Sequence, residues 1–244
     1  MGKWFCLCGL AGFSAIAESQ RDWPAPMTTM LVGQLMVEQL EVAQTTSGDS
    51  TLNWDTTGWY GGDYHRIVMI SEGEKAFSGD KEWHIERTDV SYSYLFSPFW
   101  SLQGGVGVKG PLSSDGSREH YGLISVTGLA PYWFEIDSSI VLNERGKSQW
   151  SSEVEYTFLL SQTTYLQPRL SMTVNLSDDN HAHRFSGLDT LQIGVRYRRE
   201  ITREFAPYAG IYWQTKHTAF QLADVWKKKT TSNLNVVVGV QMWF

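Results

Sequence analysis

From about residue 34 onward, apolar side chains recur at every second position, the period of a β-strand with two unlike faces. The closing stretch shows it most clearly: Val236, Val238, Val240, Met242 and Phe244 share one face, and Val237, Gly239, Gln241 and Trp243 the other. Residues 190–198 set Leu191, Ile193, Val195 and Tyr197 against Gln192, Gly194, Arg196 and Arg198. In 164–176, Leu166, Pro168, Leu170, Met172, Val174 and Leu176 oppose Gln167, Arg169, Ser171, Thr173 and Asn175. Similar alternation predicts twelve strands: 34–44, 51–60, 64–74, 84–96, 99–109, 120–128, 133–143, 150–160, 164–176, 188–200, 206–216 and 233–244. The first hairpin is weakly patterned, so ten strands is the nearest alternative.

A soluble sandwich also alternates. The deciding feature is the second face, which carries Glu, Asp, Arg and Gln deep inside strands, as the wet lumen of a membrane barrel does while its apolar face meets lipid. The connections agree. Tight ones (61–63, 97–98, 130–132, 161–163 and 202–205) alternate with mostly longer, polar ones (45–50, 75–83, 110–119, 144–149, 177–187 and 217–232). Short turns on one side and long loops on the other are the asymmetry of an outer-membrane barrel, and an even strand count leaves both termini on the short-turn, periplasmic side. The terminal Trp243-Phe244 on an alternating strand resembles the assembly signal of such barrels. The fold expected is therefore an all-β, transmembrane antiparallel barrel over 34–244.

Residues 1–17 carry Lys3, an apolar run from Trp4 to Ile16, and Ala15-Ile16-Ala17, the pattern of a cleavable signal peptide. Residues 18–33 then form a short flexible tail. Both cysteines, Cys6 and Cys8, fall in the leader, so the mature chain has neither a disulfide nor a thiolate metal ligand. Past the leader there is no apolar run long enough for a membrane helix. With 20 Lys+Arg against 26 Asp+Glu and no basic stripe, the 244-residue chain is no nucleic-acid binder. Eleven each of Trp, Tyr and Phe suit interfacial aromatic girdles.

Several words are specific: Gly58-Trp59-Tyr60-Gly61-Gly62-Asp63-Tyr64, Glu72-Gly73-Glu74, Ser97-Pro98-Phe99-Trp100, and Gln167-Pro168-Arg169. Two longer ones are Gly128-Leu129-Ala130-Pro131-Tyr132-Trp133-Phe134-Glu135 and Glu200-Ile201-Thr202-Arg203-Glu204-Phe205-Ala206-Pro207-Tyr208. From about residue 33 to the end the chain resembles the copper resistance protein B family of Gram-negative outer-membrane proteins. The resemblance implies an outer-membrane protein that binds or transports copper ion in copper resistance and homeostasis. It also implies outer-membrane lipid and a periplasmic copper-handling protein, such as a multicopper oxidase, as partners. Family members often carry a Met- and His-rich stretch before the barrel; here 18–33 holds only Met27 and Met30, with Met36 at the barrel's edge.

Without cysteine, copper falls to thioethers for Cu(I) and imidazoles for Cu(II). Met27 and Met30 form a two-thioether candidate, or else belong to a plain linker. His181-Ala182-His183 puts two imidazoles on one side of an extended segment, flanked by Asp178 and Asp179, as a capture site or as ordinary polar loop residues. His84, His120 and His217 also fall at long loops, and His65 lies near a tight turn. Glu135, Asp137, Glu153 and Glu155 face Arg169, Arg196 and Arg198, either guiding a cation or forming a salt-bridge network that plugs the barrel. Neither G-x-S-x-G, H-E-x-x-H, a Walker loop nor a dinucleotide fingerprint occurs, so catalysis is not expected. The alternatives to copper handling are a barrel hydrolase built from scattered residues and a general small-solute pore.

Overall fold

The computed structural model describes residues 30–77, 83–112, 118–178, 185–222 and 225–244. Its strands are β1 (Val32–Thr45), β2 (Ser50–Gly61), β3 (His65–Ala76), β4 (His84–Ser97), β5 (Trp100–Pro111), β6 (Glu119–Ala130), β7 (Phe134–Asn143), β8 (Ser148–Tyr156), β9 (Phe158–Ser161), β10 (Thr164–Asn175), β11 (Gly187–Arg199), β12 (Phe205–Leu222) and β13 (Val225–Trp243). Each pairs antiparallel with its neighbours, β13 pairs with β1, and β10 with β11, so the sheet closes into a ring. Closure leaves no unpaired edge, the condition for strands to cross hydrocarbon.

β8 and β9 are one crossing. The pairing with β10 keeps the same register on both sides of Thr157, Glu155 opposite Arg169 and Phe158 opposite Leu166. The interruption lies beside Pro168, which has no amide hydrogen to give to the ladder. The barrel therefore has twelve strands, not ten.

Burial is inverted relative to a soluble protein. Glu41, Asp89, Ser91, Ser125 and Ser139 are at most 2% exposed, whereas Val106, Ile124 and Val238 are more than 60% exposed. The alternation places the first set in the lumen and the second on the lipid face. Tyrosines and phenylalanines such as Tyr60, Tyr64, Phe96 and Phe99 are exposed near the tight turns. There His65 stacks on Tyr92 and Tyr94, and the Tyr92 hydroxyl lies 2.5 Å from His65 Nδ1. In the turn between β6 and β7, Tyr132 and Trp133 hold left-handed backbones (φ 69° and 68°).

Two lumen glycines let a tyrosine lie flat across a strand. A Cβ on Gly107 would fall 2.5 Å from the Tyr121 ring, which crosses β5 and donates its hydroxyl to Asp89 at 3.4 Å. A Cβ on Gly239 would fall 2.7 Å from Tyr208, which crosses β13 to donate to Glu41 at 2.9 Å. Each joint ties together strands that share no backbone hydrogen bonds.

The register shifts by one residue in several places, and three of these shifts put a carboxylate on the lumen wall: Glu38, Glu86 and Asp189, the last skipped where Thr173 pairs with Thr190 but Val174 with Leu188. Val37 pairs with Thr56 but Gln39 with Asp55, leaving Glu38 as the extra residue of a β-bulge. Glu72 pairs with Arg87 but Gly73 with Ile85, a second bulge at Glu86 and Arg87. A bulge turns two successive side chains to one face. Glu38 lines the lumen while its neighbour Gln39 bonds Asp55 and Arg196, and Glu86 and Arg87 both line the lumen. These bulges, not a missing hairpin, blur the pattern of the first strands. The connection expected over 217–232 is instead strand: β12 and β13 stay paired to Leu222 opposite Val225.

Candidate functional site

The lumen holds a chamber of about 730 Å³ that reaches the long-loop end, where His84, Pro111 and Arg145 line it. Its wall carries eight carboxylates, from Glu38, Asp55, Glu72, Glu86, Glu119, Asp137, Glu153 and Asp189. Against these stand five cationic side chains, from Arg87, Lys109, Arg145, Arg169 and Lys216. Three of the carboxylates, Glu38, Glu86 and Asp189, are the extra residues of bulges. A cleft lined by an excess of one sign, with low-dielectric walls, raises the local concentration of the opposite ion.

A single connected network joins β8 and β10 to β1, β2, β11 and β12. Arg169 on β10 donates from Nη2 to Glu153 Oε2 on β8 at 2.5 Å and lies 4.0 Å from Asp55 Oδ2 on β2. Asp55 accepts from Gln39 Nε2 at 3.4 Å. Gln39 Oε1 in turn accepts from Arg196 Nη2 at 2.9 Å, and the same nitrogen reaches Glu41 Oε2 at 3.1 Å. Glu41 also accepts from Tyr208. Arg87 forms a second group, paired with Asp89 and lying 3.7 Å from Glu72. Each guanidinium presents a planar fork that serves several acceptors at once, so one arginine satisfies carboxylates from different strands.

The expected pairing of lumen charges is realised in part. Arg169 does meet Glu153. Arg196 instead meets Glu41, and Arg198 meets Gln241. Glu41 sits on β1, which comes within reach of β11 only when β1 pairs with β13 and the ring closes, and Gln241 sits on β13, two strands along from β11; local periodicity reveals neither. Glu155 accepts from Gln167 Nε2 at 2.8 Å. Glu41, Asp55, Glu72, Glu86, Arg87 and Asp89 were missed by the sequence reading; the usable signal was a glutamate at the break in alternation of β1 and of β4, Glu38 and Glu86.

Of the candidate copper ligands, Met27, His181 and His183 lie outside the described residues, as do 1–17. Met30 is described and is 79% exposed. Met36 faces the lumen, where its Sδ accepts from Gln241 Nε2 at 3.6 Å. The flanks of the His181–His183 segment are joined: the Ser186 amide donates to Asp178 Oδ1 at 2.6 Å, holding that carboxyl below its ordinary range. Among the described histidines, His84 lines the chamber, His65 belongs to the outer aromatic cluster, and His217 Nδ1 lies 2.8 Å from Thr230 Oγ1. Among the described residues no three His, Cys, Asp or Glu side chains converge as a metal site.

Comparison with known proteins gives the lineage. A family described as copper resistance protein B precursor (CopB) matches residues 31–244. Copper resistance protein B of Escherichia coli is 30% identical over 212 residues, covering 86% of this chain and 69% of its own length. The copper resistance protein B homolog of Pseudomonas syringae pv. tomato is 26% identical over 211 residues, with the same coverages. Among solved structures, the KdgM porin superposes with a TM-score of 0.53 at 12% identity, over 86% of this chain and 99% of its own. The NanC porin gives 0.53 at 11%, over 85% and 98%. These two share the outer-membrane barrel fold. The family match spans every strand and the first relative reaches 30% identity over more than two thirds of its length, so this outer-membrane β-barrel belongs to the copper resistance protein B family.

Proposed function

We propose that this barrel contributes to copper resistance by handling copper ions at the outer membrane, as a binding and transport protein without catalytic turnover. The observation that carries the reading is the chamber: a carboxylate-rich lumen, open toward the long loops, in a member of a copper resistance family. Carboxylates attract a cation without selecting copper, so selectivity falls to softer donors. Met27 and Met30 in the segment before β1 are the proposed Cu(I) ligands. His181 and His183, between β10 and β11, are the proposed Cu(II) ligands. A periplasmic copper-handling protein such as a multicopper oxidase is the partner this scheme calls for, because ions crossing the barrel need a receiver or a supplier there. Residues 1–17 serve as the export signal and 18–33 as the tail.

Two measurements test this. Copper tolerance and cell copper content are compared with and without the gene in a strain lacking paralogues; an unchanged copper phenotype overturns the function. Copper titration of the folded protein then compares the unaltered chain with Met27→Ala/Met30→Ala and with His181→Ala/His183→Ala. Each pair is expected to lower the stoichiometry, and a stoichiometry untouched by both overturns the ligand assignment.

A further inference from the structure

The chamber does not extend through the whole lumen. On β10 its lining runs Thr173, Ser171, Arg169 and stops before Gln167; on β8 it runs Gln149, Ser151, Glu153 and stops before Glu155. On β7 it ends at Asp137, before Glu135, and on β11 at Gln192, before Arg196. The last lining residues on β8 and β10 are thus the Glu153–Arg169 pair, and Arg169 points on to Asp55, past which the lining continues on β1–β3 to Glu38, Thr57 and Ile70. β10 and β2 stand five strands apart in a ring of twelve, so this contact crosses the lumen rather than running along its wall. The other described ion pairs are shorter in reach: Arg87–Glu72 and Lys109–Glu119 join adjacent strands, and Arg196–Glu41 spans three. From Asp55 the contacts continue through Gln39 and Arg196 to Glu41 and Tyr208.

We propose that Arg169 is the gate and selectivity residue of the lumen. It is a tethered cation that occupies the position between Glu153 and Asp55 which a permeating cation would take on crossing this level of the lumen. While the guanidinium is seated, it narrows the lumen between β10 and β2 and neutralises the carboxylates there. A cation arriving from the chamber competes with it for those same oxygens, and the guanidinium swings aside on its flexible stem. Anions gain nothing from that exchange, because moving Arg169 exposes carboxylates. The arrangement is a charged constriction whose occupant belongs to the protein itself. The proposal deepens the copper reading only in the identity of the cargo; the gate itself is tested with potassium chloride.

The experiment is single-channel recording of the refolded full chain in planar bilayers. Arg169→Gln is expected to raise potassium chloride conductance over the unaltered chain. It is also expected to shift cation over anion permeability by about tenfold at low salt, the lower end of the focusing effect of a charged cleft, and to lose that shift at high salt. Arg169→Gln/Glu153→Gln is expected to keep the raised conductance while its selectivity falls back. If Arg169→Gln does not fold, Glu153→Gln/Asp55→Asn releases the guanidinium from both anchors, and is expected to raise conductance with a shift toward anions. Unchanged conductance and selectivity in the variants that fold overturn the gate. A copper phenotype absent on gene deletion would overturn the cargo while leaving these recordings to stand.

Discussion

Removing Arg196 tests whether the lumen network holds the barrel together. Its Nη2 lies 3.1 Å from Glu41 Oε2, with the two side chains 11% and 2% exposed. At that separation and an effective dielectric of about 20, the attraction is about 5 kcal/mol before desolvation is counted. In Arg196→Met, Glu41 keeps the Tyr208 hydroxyl at 2.9 Å and the Asn53 amide at 3.4 Å but loses its counter-charge. Leaving one member of a buried pair uncompensated costs about 3–5 kcal/mol. Arg196→Met/Glu41→Leu replaces both charges with apolar groups of similar size and is expected to be more stable than Arg196→Met alone. The assay is guanidinium unfolding of the micelle-refolded barrel, followed by tryptophan fluorescence and by heat-modifiable migration. With a slope of about 4 kcal/mol per molar, Arg196→Met lowers the midpoint by about 1 M. The reasoning fails if the midpoint holds, or if the two single changes add to the double within about 0.5 kcal/mol, the behaviour of sites that do not interact.

Two further outcomes follow from the walls. Gly239→Val drives a side chain into Tyr208 and Glu41, and is expected to destabilise by about 1–3 kcal/mol in the same titration. Gly104→Ala, whose Cβ meets nothing within 4 Å, is the control and is expected to leave the midpoint unchanged. Val106→Arg puts a charge on the outward face at a position 69% exposed near mid-strand, expected to cost about 2–4 kcal/mol when folding into lipid vesicles. A neutral result there would mean that this face does not meet hydrocarbon.

Much of the barrel was legible in the chain. β5, β10 and β13 alternate without interruption, as does β11 beyond Thr190, and their inward residues Gln103, Arg169, Val237 and Arg196 are where periodicity puts them. Three of the tight turns, 61–63, 97–98 and 130–132, were legible as well, because Gly, Pro or Asp falls in each. β3 was harder, since Val68 and Ile70 are apolar yet buried on the lumen side while Ile67 and Met69 face outward. Apolar residues on both faces erase the alternation. The network was legible only within neighbouring strands. Glu153 and Arg169 lie on adjacent strands, whereas Glu41 with Arg196 and Asp55 with Arg169 meet only through closure of the ring. The extension of β12 and β13 beyond Lys216 was hidden by lysines and threonines, which read as loop although threonine suits a strand.

The frame of each strand depends on its length. Shifting a strand by one residue moves every side chain on the shifted stretch to the opposite face. The bulged positions Glu38 and Glu86 are the exception, because they are themselves the extra residues. Deleting Glu38 would close the ladder with Val37 opposite Thr56 and Gln39 opposite Asp55, and Met36 and Gln34 would stay inward beside Gln241 and Trp59. Deleting Glu86 would likewise leave Arg87 opposite Glu72 and Ile85 opposite Gly73. Loss of a single codon there removes one lumen carboxylate and keeps the faces in frame, whereas the same loss elsewhere within a strand inverts a run of side chains.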